Sequence, residues 1–442
     1  MNSKQYPNIL IVSHNPLSDS QSNGKTLSSF FKGYPKDKVA QLFLTMENPD
    51  YTITDKFYRI QDTEILKCFL KRQKTAGKVI DKNEEDSVVQ RKTILHKNKV
   101  YLFIRNIFQQ RLPLALLFRD ILWNMDYWKT DSLKQWLKEQ SPDIVFFQSS
   151  NSPFLFRIVK WICGELDIPM IMQTTDDYVT LNFSLDPFYF LHVRSIKKWY
   201  TWAVEKAHCV VAIGDLMASE YKRRFGGNYL VAMNSVEIED VAKYQYQGDA
   251  IRLLYAGNLG LNRWKVLSLL GHCLAELREE NIKGELSIYS IVEPEGKAAE
   301  ALNLPPYMSF KGRLNQEQLK QAKEASDILV HVEAFDRKNK HITRLSISTK
   351  IPEYMQSGRC ILAIGPSDVA SINYLESNEM AMVVTDPEKG KLKESLRRII
   401  MDEQERIHFA DRAREIAVER HSINTIKDMI YDAIIDAVEK NK

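Results

Sequence analysis

At 442 residues the chain is too long for one ordinary hydrophobic core and suits two domains of about 200 residues each. An apolar content of 44% beside 27% charged residues excludes extensive disorder, and a formal net charge of +4 is too small for a protein dedicated to nucleic acid, so no nucleic-acid partner is expected. Five cysteines, odd in number, far apart and without a C-x-x-C pair, exclude a disulfide framework and a zinc site and suit a reducing cytoplasm.

The opening residues, Met1-Asn2-Ser3-Lys4-Gln5-Tyr6-Pro7, run directly into a strand, Ile9-Leu10-Ile11-Val12, without the apolar stretch and cleavage site of a signal peptide. His14 follows that strand and reads either as a general base or as a polar loop histidine without a role. Asn23-Gly24-Lys25-Thr26 invites a phosphate-loop reading, but the first glycine of G-x-x-x-x-G-K-[ST] would fall on Asp19, so the motif fails. Gly24 then either brings backbone N–H groups to a ligand's phosphates or lies at the start of a helix capped by Asn23.

From Lys56 to Arg111 there are 14 Lys or Arg against 6 Asp or Glu, interleaved with Phe57, Tyr58, Phe69, Tyr101, Phe103 and Phe108. That excess of positive charge suits either an anionic membrane surface or a solvated basic insertion, about residues 55–111. The longest apolar stretch, 100–123, is interrupted by Arg105, Arg111, Pro113 and Arg119 and is not expected to span a membrane. Leu114, Leu117, Phe118, Ile121 and Leu122 recur at helical spacing, and core packing is the expected use of that face.

Further apolar runs at 144–147, 170–172 and 210–213 alternate with helical patterns at 154–166 and 216–225. Near-continuous runs of this length suit parallel strands covered on both faces, which predicts a doubly wound α/β domain over residues 1–235. Asp176 and Asp177 end the strand 169–173, where one of them could orient or deprotonate a hydroxyl; acids in loops also cap helices or lie in solvent.

Periodicity lapses over 236–250, the expected linker, and a second alternating set follows at 251–255, 286–289, 328–332, 361–364 and 382–384. It predicts a second Rossmann-like domain over 251–424. Two such domains facing each other leave a cleft beside the carboxyl ends of their strands, where open α/β folds bind ligands. The remainder, 425–442, reads as an amphipathic helix with Ile426, Met429, Ile430, Ala433, Ile434 and Ala437 on one face.

Two stretches of the second domain carry chemistry. In Tyr255-Ala256-Gly257-Asn258-Leu259-Gly260-Leu261-Asn262-Arg263, the glycines allow close approach of backbone to a phosphate, and Arg263 offers two parallel N–H donors. The spacing does not match the dinucleotide fingerprint G-x-G-x-x-G. In Ser346-Ile347-Ser348-Thr349-Lys350-Ile351-Pro352-Glu353-Tyr354-Met355-Gln356-Ser357-Gly358, a helix is expected near Lys350, capped by Ser348 or Thr349, with Gly358 at its end. A lysine there opposes the helix dipole, whereas a phosphate would be drawn by the dipole, the free N–H groups and the lysine together. Glu353 is either an acid suited to a first helical turn or a carboxylate accepting bonds from two ribose hydroxyls of a nucleotide.

With these residues in order, the chain resembles the GT-B glycosyltransferases, particularly the family 4 type that builds bacterial surface polysaccharides. The resemblance runs from about Lys206 to His421 and rests on Ala212-Ile213-Gly214-Asp215-Leu216-Met217-Ala218-Ser219-Glu220-Tyr221, Arg224-Phe225-Gly226 and Ser348-Thr349-Lys350-Ile351-Pro352-Glu353-Tyr354-Met355 with Ser357-Gly358. It implies two Rossmann-like domains across a cleft and transfer of a hexosyl group, with retention, from a nucleotide-sugar to a glycan or lipid-linked acceptor. It further implies that Arg263 and Lys350 bind the donor diphosphate and act in catalysis, that Glu353 holds the ribose, and that Gly257, Asn258, Ser348, Thr349 and, from the first domain, Gly24 line the donor. Asp176-Asp177-Tyr178 is similar to an acidic turn near the acceptor, where Asp176, Asp177 and His14 are the candidate bases. Neither metal nor cofactor is implied, since cationic side chains and helix dipoles stabilise the leaving diphosphate. The terminal helix is expected to pack back on the first domain, and the protein to work in the cytoplasm, peripherally on the inner membrane face. Many family members carry a second glutamate eight residues before the one matching Glu353, and Leu345 stands there. A nucleotide-sugar 2-epimerase and a non-catalytic nucleotide-sugar-binding homologue are the alternative readings.

Overall fold

The computed structural model describes residues 6–18, 22–80, 113–180, 184, 186–240, 246 and 248–441. The chain divides into two units, one of Met1–Ile213, Ala218–Ala232 and Ile426–Lys442, the other of Gly214–Met217 and Met233–Thr425.

The first unit is built on eight strands: β1 (Ile9–Val12), β2 (Val39–Phe43), β3 (Phe57–Arg59), β4 (Lys78–Ile80), β5 (Ile144–Gln148), β6 (Met170–Thr174), β7 (Val210–Ala212) and β8 (Tyr229–Val231). They lie in the order β4-β3-β2-β1-β5-β6-β7-β8, and each adjacent pair is parallel except β3 with β4. Every residue of β1, β2, β5 and β6 is buried, as expected where helices cover both faces of a parallel sheet. Leu27, Phe30 and Phe31 of the helix Ser22–Phe31 enter the core on one face, with the Phe31 ring edge-on to Phe146 at 5.0 Å. Ile426, Ile430, Ile434 and Ala437 of the last helix, Ile423–Asn441, recur at i, i+4, i+8 and i+11 and join that same core.

Part of the stretch read as a basic insertion is integral to this sheet. Phe57, Tyr58 and Ile60 are fully buried, and the helix Asp62–Lys71 connects β3 to β4. Residues 81–111 of that stretch, with Tyr101, Phe103 and Phe108, lie outside the described residues. The helix Pro113–Trp123 also departs from expectation: Leu122 and Trp123 are buried, whereas Leu114, Phe118 and Ile121 are exposed.

The second unit is a six-stranded parallel sheet of β9 (Ile251–Ala256), β10 (Gly284–Tyr289), β11 (Met308–Gly312), β12 (Ile328–Val332), β13 (Cys360–Ile364) and β14 (Met382–Val384), in the order β11-β10-β9-β12-β13-β14. Counted within the unit this is 3-2-1-4-5-6, the dinucleotide-fold order. Its core gathers Leu253, Leu267, Leu270, Leu274, Leu286, Ile288, Val330 and Leu362. Strand order reverses between β9 and β12, so the segments leaving those two strands border the crevice where such sheets take ligands. Among the described residues no helix is long and apolar enough to cross a membrane.

Candidate functional site

The chain leaving β9 makes a tight loop before the helix Arg263–Glu279. Asn258 Oδ1 accepts from the Gly260 amide at 2.7 Å, and the Tyr255 hydroxyl donates to the Asn258 carbonyl at 2.7 Å. Leu261 and Asn262 adopt left-handed backbone with φ of 55° and 60°; the Asn262 amide is anchored at 2.9 Å on Asp336, which caps the helix Arg337–Thr343. This side-chain scaffold sets Arg263 on the first turn of its helix.

Arg263 meets a residue that sequence reasoning did not single out. Its Nη2 donates to both carboxylate oxygens of Glu333, at 2.9 and 3.1 Å, with the side chains 18% and 4% exposed. Glu333 directly follows β12, so the pair spans the point where strand order reverses. Burial pushes the Glu333 carboxyl above its ordinary range, and the attraction of Arg263 only partly opposes this. His331, one residue inside β12, is driven down to about 3 by burial and by the charges of Arg263 and Lys350, and is neutral at physiological pH. Its Nε2 lies 3.7 Å from Glu333 Oε1 and has no hydrogen-bond partner among the described residues.

Lys350 reaches the same place from the other stretch. Its ammonium donates to the carbonyl of Ala256, the last residue of β9. A Cβ on Gly257 would lie 2.9 Å from that nitrogen and 2.7 Å from the Tyr255 hydroxyl, so only glycine leaves room for both. Neither Ser348 nor Thr349 caps the helix, contrary to expectation: Lys350 itself is the cap residue of Ile351–Gln356, and no side chain closes the cap. Ser348 is held through its amide by the Ser371 hydroxyl at 3.2 Å, so its backbone faces a neighbouring helix. Pro352 stands in the first turn, and Gly358 adopts φ 66° just after the end. Glu353 projects from this helix onto Lys323 of the helix Gln316–Glu324, 3.3 Å away, a second partner that the sequence did not announce. Leu345 is fully buried.

The remaining candidates belong to the first unit. Gly24 is needed for packing: a Cβ there would fall 2.5 Å from the Pro16 carbonyl and 2.8 Å from Ser18 Cβ, so its face is filled by the chain's own loop. Asp177 Oδ1 accepts from the amides of Val179 and Thr180 at 3.2 and 3.0 Å and from the Tyr221 hydroxyl at 2.7 Å, which ties the turn together. Asp176 accepts from Tyr178 at 3.1 Å. His14 stands near a carboxylate missed in the sequence, Asp62, whose Oδ1 takes Arg119 Nε at 2.8 Å and Trp123 Nε1 at 2.7 Å. Burial opposes ionisation of Asp62, but the Arg119 guanidinium and these bonds hold its carboxyl below the usual range. Among the described residues no three His, Cys, Asp or Glu side chains cluster as a metal site would require.

In sequence, no protein-family model and no curated protein matches the chain. In structure it is similar to HepE of Anabaena, solved in complex with UDP and glucose, with a TM-score of 0.59 at 14% identity over 97% of this chain and 100% of that one. Sucrose-phosphate synthase from Thermosynechococcus elongatus matches with a TM-score of 0.58 at 12% identity, over 97% and 99% of the two chains. An α,α-trehalose-phosphate synthase (UDP-forming) from Burkholderia vietnamiensis matches with 0.57 at 9%, over 97% and 100%. The structures it matches are GT-B glycosyltransferases, and the chain has their fold.

Proposed function

We propose that the chain is a glycosyltransferase that moves a hexosyl group from a nucleotide-sugar to a hydroxyl of a glycan or lipid-linked acceptor. The observation that carries this reading is the convergence of Arg263 and Lys350 on the Gly257 loop, beside the strand reversal of the second sheet. In this reading the guanidinium and ammonium bind the donor diphosphate and neutralise the charge that grows on it as the glycosidic bond breaks, with no metal ion or cofactor required. Glu353 accepts from the ribose hydroxyls, and Gly257, Asn258, Ser348 and Thr349 line the donor, Ser348 through its side chain because its amide is held by Ser371. His14, Asp176 and Asp177 stand on the acceptor side as the candidate bases, with Asp177 also holding its turn. Retention at the anomeric carbon belongs to this reading through the family resemblance.

Similarity to proteins solved with UDP and glucose supports a nucleotide-sugar donor. A role in bacterial surface polysaccharide synthesis at the inner membrane face completes the reading. It has the exposed Leu114, Phe118 and Ile121, with the exposed Lys71, Arg72 and Lys74, as its surface for anionic lipid.

Leu345, buried where many family members carry glutamate, favours one second reading, a protein that binds nucleotide-sugars without turning them over. Incubation with a panel of nucleotide-sugars, followed by assay of nucleoside diphosphate release with and without excess EDTA, tests both. Release that survives EDTA supports the transferase. Tight donor binding with no release on any acceptor supports the second reading, and loss restored only by magnesium or manganese contradicts the leaving-group chemistry.

A further inference from the structure

The contact between Arg263 and Glu333 goes beyond positioning. A guanidinium meant for a diphosphate is already held, in a nearly dry place, by a carboxylate whose charge depends on it. Bringing a doubly negative diphosphate to Arg263 and Lys350 sets three negative charges, Glu333 among them, against two positive ones, and in a low-dielectric crevice that excess favours neutralising one anion.

Resting on the donor-site reading above, we propose that Glu333 is a built-in counter-anion of Arg263 that takes up one proton as the donor binds and releases it when the nucleoside diphosphate leaves. The proton comes from solvent and adds to a carboxylate oxygen; no other bond changes. His331 Nε2, buried, unpartnered among the described residues and 3.7 Å from Oε1, is placed to accept from the resulting carboxylic acid. The other groups facing Glu333 do not compete for the proton at neutral pH. The neutral His331 is held down near 3 by burial and by the charges of Arg263 and Lys350, and burial raises the Tyr255 hydroxyl above its ordinary value. Thr343, which also reaches Glu333, does not titrate. Glu333 is thus a positioning residue for Arg263 while the site is empty and a neutral hydrogen-bonding group while it is full.

The test is calorimetry of the full chain with UDP-glucose, and with GDP-mannose where the first does not bind, in buffers of different ionisation enthalpy at pH 7. A nucleotide-sugar diphosphate is a diester with no group titrating near neutrality, so any linked proton belongs to the protein. The expected result is a binding enthalpy that changes with the buffer as uptake of up to about one proton requires. Affinity then weakens as pH rises, by no more than about tenfold per unit. Glu333→Gln, still binding, loses both dependences. A wild-type enthalpy independent of buffer, or an unchanged dependence in Glu333→Gln, overturns the proposal while leaving the donor site standing. Failure of both nucleotide-sugars to bind, or binding that Arg263→Ala leaves unchanged, overturns the donor-site reading and the proposal with it. The wild-type measurement decides even where the variant does not fold.

Discussion

Gly257 leaves room for the Lys350 ammonium on one side and the Tyr255 hydroxyl on the other, so a single methyl group there displaces one of them. Gly257→Ala is therefore expected to weaken donor binding as Lys350→Ala and Glu353→Gln do, by about 2 to 4 kcal/mol each, with the fold intact. Calorimetric affinities equal to wild type in all three would move the site elsewhere. Two buried histidines make a separate prediction about pH. His331 and His421 are both held near 3 by burial, His421 against the Tyr374 hydroxyl at 2.6 Å, so the folded protein refuses protons that the unfolded chain accepts. Their contribution to stability is complete above the unfolded value near 6.5 and is lost as pH falls toward 3, up to about 1.4 kcal/mol per histidine per pH unit. Denaturation midpoints from pH 7 to 4 should fall more steeply in wild type than in His421→Gln; parallel profiles would contradict the assignment. At this scale the sequence exposed residues that break a local rule, such as a lysine opening a helix. It hid Glu333 and Asp62, whose partners are 70 and 57 residues away and whose surroundings exist only after folding.

Among elements, the strands covered on both faces were legible because such strands leave near-continuous apolar runs, as in Ile9–Val12 and at 144–147. The edge of the first sheet was not. β3 and β4 are three residues each, and the lysines and arginines around them dominated the local composition although Phe57 and Tyr58 are wholly buried. The cap of Ile351–Gln356 was also misread: Ser348 and Thr349 are good cap residues, but the helix begins later than either requires, with Lys350 at the cap position and no side chain closing it. The last helix gives the cleanest element test. Ile430→Ala and Ile434→Ala each leave a void in the first unit's core and are expected to cost about 2 to 4 kcal/mol in urea unfolding. A loss below about 0.5 kcal/mol, ordinary for a surface site, would show that this face does not support the core.

For the whole molecule, alternation of strand and helix was enough to anticipate two Rossmann-like sheets, and strand order was beyond reach because it depends on pairings between distant segments. Membrane attachment is a property of the complete surface and is tested there. Wild type is expected to sediment with anionic vesicles at low salt and to be released as salt rises, and the triple variant Lys71→Glu, Arg72→Glu, Lys74→Glu to bind much less. Equal and negligible binding of both would remove the lipid-surface proposal and leave the donor site untouched. The placement of Ile426–Ala437 in the first unit's core also bears on how the protein is made. Domains generally mature in the order in which they are synthesised. Here the first unit's core takes in a helix that follows every strand of the second unit in the chain, so the second unit's sheet, whose last strand ends at Val384, can assemble before the first unit's core closes.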